Sequence, residues 1–229
     1  TTNILMSVPQ SYAVTGEGNR WENIGAMMNR GIEVAIDGDI IRMNDFTWNL
    51  SANFSYNKNK LLELYNGVEE YVNSTTGLKY MVGHSVTEYF LNRYAGVNPA
   101  NGDALWYTAD GELTTEFRED DKVMTGKTYE SPWAGGFGTT FIWKGISLSA
   151  QFSWMAKRYV MNNDRFFEES NGIYSTYNQS KRLLYNRWKK PGDITDIPRY
   201  DVPAQLDDRF LENTSFLRLK NLTVAYSLP

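Results

Sequence analysis

Residues Phe46 to Asn57 alternate apolar and polar side chains without a break. Phe46, Trp48, Leu50, Ala52, Phe54 and Tyr56 share one parity; Thr47, Asn49, Ser51, Asn53, Ser55 and Asn57 share the other. A β-strand sends successive side chains to opposite faces, so this stretch predicts a strand with one wholly apolar face and one small, polar face. The preceding segment behaves alike: Ile32, Val34, Ile36 and Ile40 oppose Glu33, Asp37 and Asp39, and Met43–Asp45 reads as a short turn. A hairpin setting Arg42 opposite Phe46 also sets Ile40 opposite Trp48 and Ile36 opposite Ala52, so that the two apolar faces coincide.

A second hairpin follows the same logic. Phe137, Phe141 and Trp143 alternate with Gly136, Gly138 and Thr140; Lys144-Gly145 is a two-residue turn; Ile146, Leu148, Ala150, Phe152 and Trp154 alternate with Ser147, Ser149, Gln151 and Ser153. A two-residue loop pairs Trp143 with Ile146, and then Phe141 with Leu148 and Phe137 with Phe152. A fifth strand has Leu222, Val224, Tyr226 and Leu228 against Asn221, Thr223, Ala225 and Ser227. The expected strands are residues 32–42, 46–57, 133–144, 146–156 and 216–228, with long connections at 58–132 and 157–215. Inside these, Val86–Tyr94 and Ala104–Tyr107 read as short strands, and Phe166–Ser170 and Asn178–Trp188 as short helical pieces.

Composition narrows the setting. With no Cys and one His, disulfide scaffolds, thiol catalysis and multi-histidine metal sites are out of reach of these 229 residues. A net charge of −4 argues against a nucleic-acid partner. No apolar run approaches the ~18–20 residues of a membrane helix, and Thr1–Ser7 shows no secretory leader. The 33 aromatic residues (15 Tyr, 11 Phe, 7 Trp) therefore need a β core, a ligand surface or a membrane interface. The order of connections, short then long then short then long, is that of transmembrane β-barrels, with short periplasmic turns and long extracellular loops. Aromatics gather toward both strand ends, as in the two interfacial girdles of such barrels. Alternation alone leaves a second reading open, a soluble secreted β-sandwich such as a carbohydrate-binding module or glycosidase fragment. Five strands do not close a barrel, whose smallest form has about 8, so the expectation is a piece of a larger one, with Thr2–Met6 as a possible tail of the first strand.

Four stretches carry a family resemblance: Asn23-Ile24-Gly25 with Asn29-Arg30-Gly31-Ile32-Glu33; Gly96-Val97-Asn98-Pro99-Ala100-Asn101-Gly102-Asp103 with Leu105-Trp106-Tyr107; Arg187-Trp188, Pro191-Gly192-Asp193 and Asp196-Ile197-Pro198-Arg199; and Ser215 to Leu222, running on to Pro229. In order and spacing they resemble the C-terminal part of the barrel in SusC/RagA-type TonB-linked outer-membrane transporters. The resemblance implies an all-β fold, an antiparallel transmembrane barrel of roughly 22 strands with a plugged lumen, of which residues 1–229 are a partial barrel domain lacking the plug. It implies TonB-powered import of oligosaccharides or peptides, a SusD-like surface lipoprotein as lid, TonB contact through the missing N-terminal part, and outer-membrane lipid around the wall.

Candidate site residues follow from the loops. Exposed Trp and Tyr stack on sugar rings; Trp106, Tyr107 and Trp188 are the ligand-binding candidates, with Trp133, Tyr174 and Tyr177 behind them. The alternative is that Trp106 and Trp188 pin long loops together and that Trp133 belongs to a girdle. Arg187 and Arg199 are positioned to grip an acidic ligand or partner, or to form salt bridges within the loops. Asp110-Gly111-Glu112 and Glu119-Asp120-Asp121 lack the ligand spacing of a calcium loop and read as solvated acids. His84 has no second His or Cys to complete a site. No catalytic arrangement stands out, so neither an enzyme nor a cofactor is expected.

Overall fold

The computed structural model describes residues 5–9, 16, 18–23, 25–64, 67–72, 78–174 and 176–228. The chain divides into two compact units, one comprising Thr1–Glu88, Thr128–Arg158 and Thr214–Pro229, the other Tyr89–Lys127 and Tyr159–Asn213. The first unit is built on a five-stranded antiparallel sheet of β1 (Gly25–Arg42), β2 (Phe46–Leu64), β3 (Trp133–Trp143), β4 (Ile146–Ala156) and β5 (Phe216–Tyr226), in the order β5-β4-β3-β2-β1. Among the described residues, no strand pairs with the outer edges of β1 and β5.

The alternation of the sequence becomes rows across this sheet. One row is Asp37, Ser51, Gly138, Gln151 and Asn221; the next polar row is Asp39, Asn49, Thr140, Ser149 and Thr223. Between them lies Gly38, Leu50, Thr139, Ala150 and Leu222, and beyond them Ile36, Ala52, Phe137, Phe152 and Leu219. All five strands thus agree on which side is apolar. That side is open: Val224 is 70%, Ile32 63% and Leu222 60% exposed. An uncovered apolar face spanning five strands marks a surface meant for lipid or a partner. Its aromatics form two belts. Near the short turns, Trp48 stacks on Phe141 (centroids 5.7 Å), and at the other end Tyr56 lies 4.1 Å from Trp133 while Phe54 meets Trp133 and Trp154. Between the belts Phe137 stacks on Phe152 at 4.7 Å. The indole of Trp154 lies over Gly135, where a Cβ would fall 2.9 Å from its ring.

Turn chemistry fixes the register of the second hairpin. Lys144 (φ 48°) and Gly145 (φ 84°) both take the left-handed conformation that a two-residue turn between twisted strands demands, and Trp143 faces Ile146. The first hairpin differs from the sequence expectation near its turn. Ile36 faces Ala52, but Trp48 faces Ile41 and Arg42 faces Thr47, because the register shifts between Asp39 and Ile41. Two successive isoleucines break the alternation; a bulge absorbs the extra residue and keeps an isoleucine opposite Trp48. Similar shifts occur between Ala26 and Met27 and, on β5, opposite Gln151/Phe152, where Lys220 is the additional residue.

The first two strands also outrun expectation. β1 starts at Gly25 and β2 ends at Leu64, so residues 58–64 are strand and not the beginning of a loop. At 18 and 19 residues they exceed the ~9–11 needed to cross hydrocarbon. The nearer part of their shared extension is polar, with Asn59 Nδ2 donating to Asn29 Oδ1 at 2.8 Å. Leu61 and Leu64 are buried there, and the Leu61 amide donates to the His84 carbonyl at 2.8 Å. Leu5–Pro9 pairs with Asn19–Asn23 in a hairpin of its own; residues 2–4 of the proposed tail, and Ile24 of the first family stretch, lie outside the described residues.

The second unit has short strands and helices. Arg93–Val97, Ala104–Tyr107 and Leu113–Thr114 form a three-stranded sheet, Glu88–Leu91 pairs with Val123–Thr128, and Tyr159–Met161 with Leu211–Asn213. Helices α1 (Asn163–Glu168) and α2 (Lys181–Tyr185) are capped by the side chains of Asn162 and Ser180. Phe210, Ala104, Trp106, Leu183 and Ile197 are among its buried apolar residues. Among the described residues no helix is long and apolar enough to cross a membrane.

If the apolar side of the sheet meets lipid, Leu50→Arg and Phe152→Arg each place a charge there at a cost of ~2–4 kcal/mol. Both variants of the full-length parent should lose heat-modifiable, detergent-extracted protein, while Asn49→Arg should not; wild-type yield of folded L50R and F152R would contradict this.

Candidate functional site

The second unit holds most of the loop residues singled out above, and it separates them. Trp106 lies in the core, 4% exposed, with its Nε1 donating to Asp207 Oδ2 at 2.8 Å and its ring edge-on to Tyr94 and Phe117. No ring face is left for a ligand. The structure thus corrects the ligand-platform reading of Trp106: its indole is bound to a buried carboxylate, 101 residues away in sequence. Asp207 is fully buried; its Oδ1 accepts from the Arg209 amide and faces Arg209 Nε at 3.1 Å. Burial pushes this carboxyl up to about 6 against the pull of Arg209 and the Trp106 hydrogen bond. The Arg209 guanidinium in turn lies over the rings of Tyr94 (4.2 Å) and Phe210 (4.9 Å). Burial raises the Tyr94 phenol to about 12.

Trp188 does pin loops. Its Nε1 donates to the Pro99 carbonyl at 3.1 Å, and its ring covers Gly102, where a Cβ would fall 2.4 Å from it. Gly102 has φ 79°, so this turn needs glycine both for conformation and for room. Arg199 closes the same junction: its Nε donates to Asp103 Oδ1 at 3.0 Å, its NH1 pairs with Asp201, and its amide donates to the Gly102 carbonyl. The hydrogen bond from the Arg199 guanidinium holds the Asp201 carboxyl below the usual range. Arg199 is therefore committed to internal bridges. Arg187 is not. Its guanidinium lies 5.1 Å from the Tyr200 ring centroid, and its buried Nε has no acceptor among the described residues.

Around these residues runs a cleft of about 780 Å³, lined by Lys181, Leu184, Arg187, Trp188, Lys189 and Tyr200 among others. A second, of about 1090 Å³, shares Arg187 and Lys189 and adds Lys190, Tyr185 and Ile194. This is the most site-like feature of the unit: aromatic and aliphatic walls with several cations. Sequence reasoning missed Lys181, Lys189 and Tyr200, since exposed lysines and a tyrosine carry no local signal until the fold gathers them.

The remaining candidates fall elsewhere. Tyr107 is half exposed, with the Arg93 guanidinium 5.4 Å from its ring centroid. Tyr177 stacks on Phe167 and Tyr174 packs edge-on to Phe166 and Phe167, within one aromatic cluster. Trp133 sits in the outer aromatic belt of the sheet. His84 Nδ1 lies 3.0 Å from Glu88 Oε2. In the acidic stretch Glu116 pairs with Arg118 and Glu119 with Lys122, while Asp121 Oδ1 accepts from the Ala109 amide. Among the described residues no group of three His, Asp or Glu is placed to hold a metal.

Comparison with known proteins gives a consistent likeness. No family model matches the chain. It is 26% identical over 284 residues to TonB-dependent receptor P39 of Formosa agariphila, covering 99% of this chain and 26% of that protein. It is 25% identical over 248 residues to TonB-dependent receptor SusC of Bacteroides thetaiotaomicron, covering 99% and 23%. Among solved structures, the RagAB peptide transporter matches at 34% identity with a TM-score of 0.89, over 100% of this chain and 26% of that one. The chain spans about a quarter of the length of the curated relatives it matches. The likeness is to the SusC/RagA-type TonB-dependent transporter, and the fold is that of a segment of its antiparallel β-barrel.

Two outcomes test the site's construction. Gly102→Ala should displace the Trp188 ring and shift indole emission to the red; unchanged emission would contradict the close packing. A carboxyl that rises from 3.8 to about 6 on folding binds its proton more tightly in the folded state. Ionising Asp207 therefore removes stability as pH rises through that window, by roughly 3 kcal/mol. Amide exchange in residues 89–127 should slow from pH 7 to pH 5 more in wild type than in Asp207→Asn; equal changes would contradict the shift.

Proposed function

We propose that this chain forms part of the wall and extracellular loops of an outer-membrane, TonB-dependent importer of oligosaccharides or peptides, working under a SusD-like lipoprotein lid. The observation that carries the reading is the five-stranded sheet, apolar and aromatic-belted on one side and lined on the other by Asn, Ser, Thr, Gln and Gly, with acids on β1. Lipid meets the first side, and polar cargo and water the second. The short turns at Met43–Asp45 and Lys144-Gly145 lie on the periplasmic side, and both long excursions leave from the opposite strand ends, toward the medium.

The likeness to receptors and a transporter supports a carrier without chemistry of its own. The RagAB complex is described as a peptide importer, which favours peptides over sugars as cargo. Tyr107, which is exposed, and Trp188, which is partly so, remain available to touch it. Coupling to TonB acts through parts of the protein outside this chain.

Cells producing the full-length parent test the proposal. The protein should fractionate with the outer membrane and require detergent. Uptake of fluorescent oligopeptides or oligosaccharides should fall to background on deletion of the gene, and also on depletion of TonB. Recovery in the soluble fraction, or uptake indifferent to TonB, would overturn it.

A further inference from the structure

We propose that the cleft around Arg187 and Trp188 binds the carboxylate groups of an acidic ligand. This rests on the import reading, whose cargo it specifies. Arg187 is held from both sides. Its backbone is bridged to Ile197, with the Trp188 amide donating to the Ile197 carbonyl at 3.0 Å, and its guanidinium lies against Tyr200. The guanidinium thus lies against one ring, while its buried Nε finds no acceptor among the described residues. A guanidinium fork with an unmet donor suits bidentate pairing with a carboxylate.

The surrounding charges point the same way. Lys181 and Lys189 line this cleft and Lys190 the adjoining one. Neither these lysines nor Arg187 has an ion-pair partner among the described residues. The nearby acids are already engaged: Asp201 by Arg199, Asp196 by Arg182 and Arg165, and Asp193 Oδ2 by the backbone amides of Lys189 and Lys190. A chain of net charge −4 thereby keeps a local positive excess in a concave surface, which concentrates anions. Trp188 and Tyr200 offer apolar faces to the body of such a ligand. The carboxylates can come from acidic side chains of a peptide or from uronic-acid units of a sugar.

The test uses the full-length parent in detergent, titrated calorimetrically with hexaglutamate and trigalacturonate, and with hexaglutamine and maltotriose as neutral counterparts. At least one acidic probe should bind about tenfold more tightly than its neutral counterpart, and Arg187→Gln should remove about tenfold in affinity. Which acidic probe binds identifies peptide or sugar. The double variant K181Q/K189Q leaves the Arg187–Tyr200 stack intact and should weaken binding several-fold, so the test stands even where R187Q fails to fold. Equal binding of acidic and neutral probes would overturn the proposal, as would wild-type titrations of both variants. Binding is read without transport. Acid binding without TonB-dependent uptake would remove the import reading alone, whereas uptake without acid binding would remove this site alone.

Discussion

Backbone hydrogen bonding in a medium without water is the constraint from which the rest follows. Within hydrocarbon every N–H and C=O needs an internal partner, and a sheet supplies partners only between strands, so its outermost strands must be joined by others. β1 and β5 are long and carry apolar side chains on the same side as β2–β4, so both edges are built for continuation. Once the strands are paired, side-chain parity decides everything else. The apolar rows cannot face water over five strands, and the polar rows cannot face lipid. A single-residue slip would exchange the two sides, and the three register shifts are places where an extra residue is absorbed without that exchange.

The second unit solves a different problem with a different currency. Its strands are two to six residues long and its helices five and six, too short to satisfy their own backbone. Buried side-chain amides and carboxylates take over. Asn92 donates to the Arg118 carbonyl at 2.7 Å, and Asn171 to the carbonyls of both Arg199 and Val202 at 2.6 Å. Asp208 accepts from the Tyr94 amide at 2.8 Å, and Asp207 holds Trp106. Such contacts specify one arrangement of long connections where an apolar core is small.

This difference explains what could be read from the residues. Strand parity is local, so the second hairpin's register follows from Trp143, Lys144-Gly145 and Ile146 alone. The extension of β1 and β2 is not legible, since Asn57-Lys58-Asn59-Lys60 shows no alternation and pairs through backbone and the Asn59–Asn29 contact. The bulge at Ile40 needs knowledge of which isoleucine meets Trp48. In the loops, Trp106 and Trp188 look equivalent in sequence; only partners about a hundred residues away, Asp207 for one and Pro99–Gly102 for the other, assign one to the core and the other to a cleft wall. Arg187 and Arg199 diverge for the same reason.

These 229 residues contain no cysteine, so once any cysteine elsewhere in the full-length parent is replaced by serine, single cysteines can be introduced one at a time along β2. Spin labels at Asn49, Leu50, Ser51, Ala52 and Asn53 report collision with oxygen, which is enriched in lipid, and with a water-soluble nickel complex. Oxygen accessibility should peak at positions 50 and 52, and nickel accessibility at 49, 51 and 53, alternating residue by residue. Labels at 50 and 52 shielded from both reagents would mean that another protein layer covers the apolar side, and would contradict the membrane wall on which the account depends.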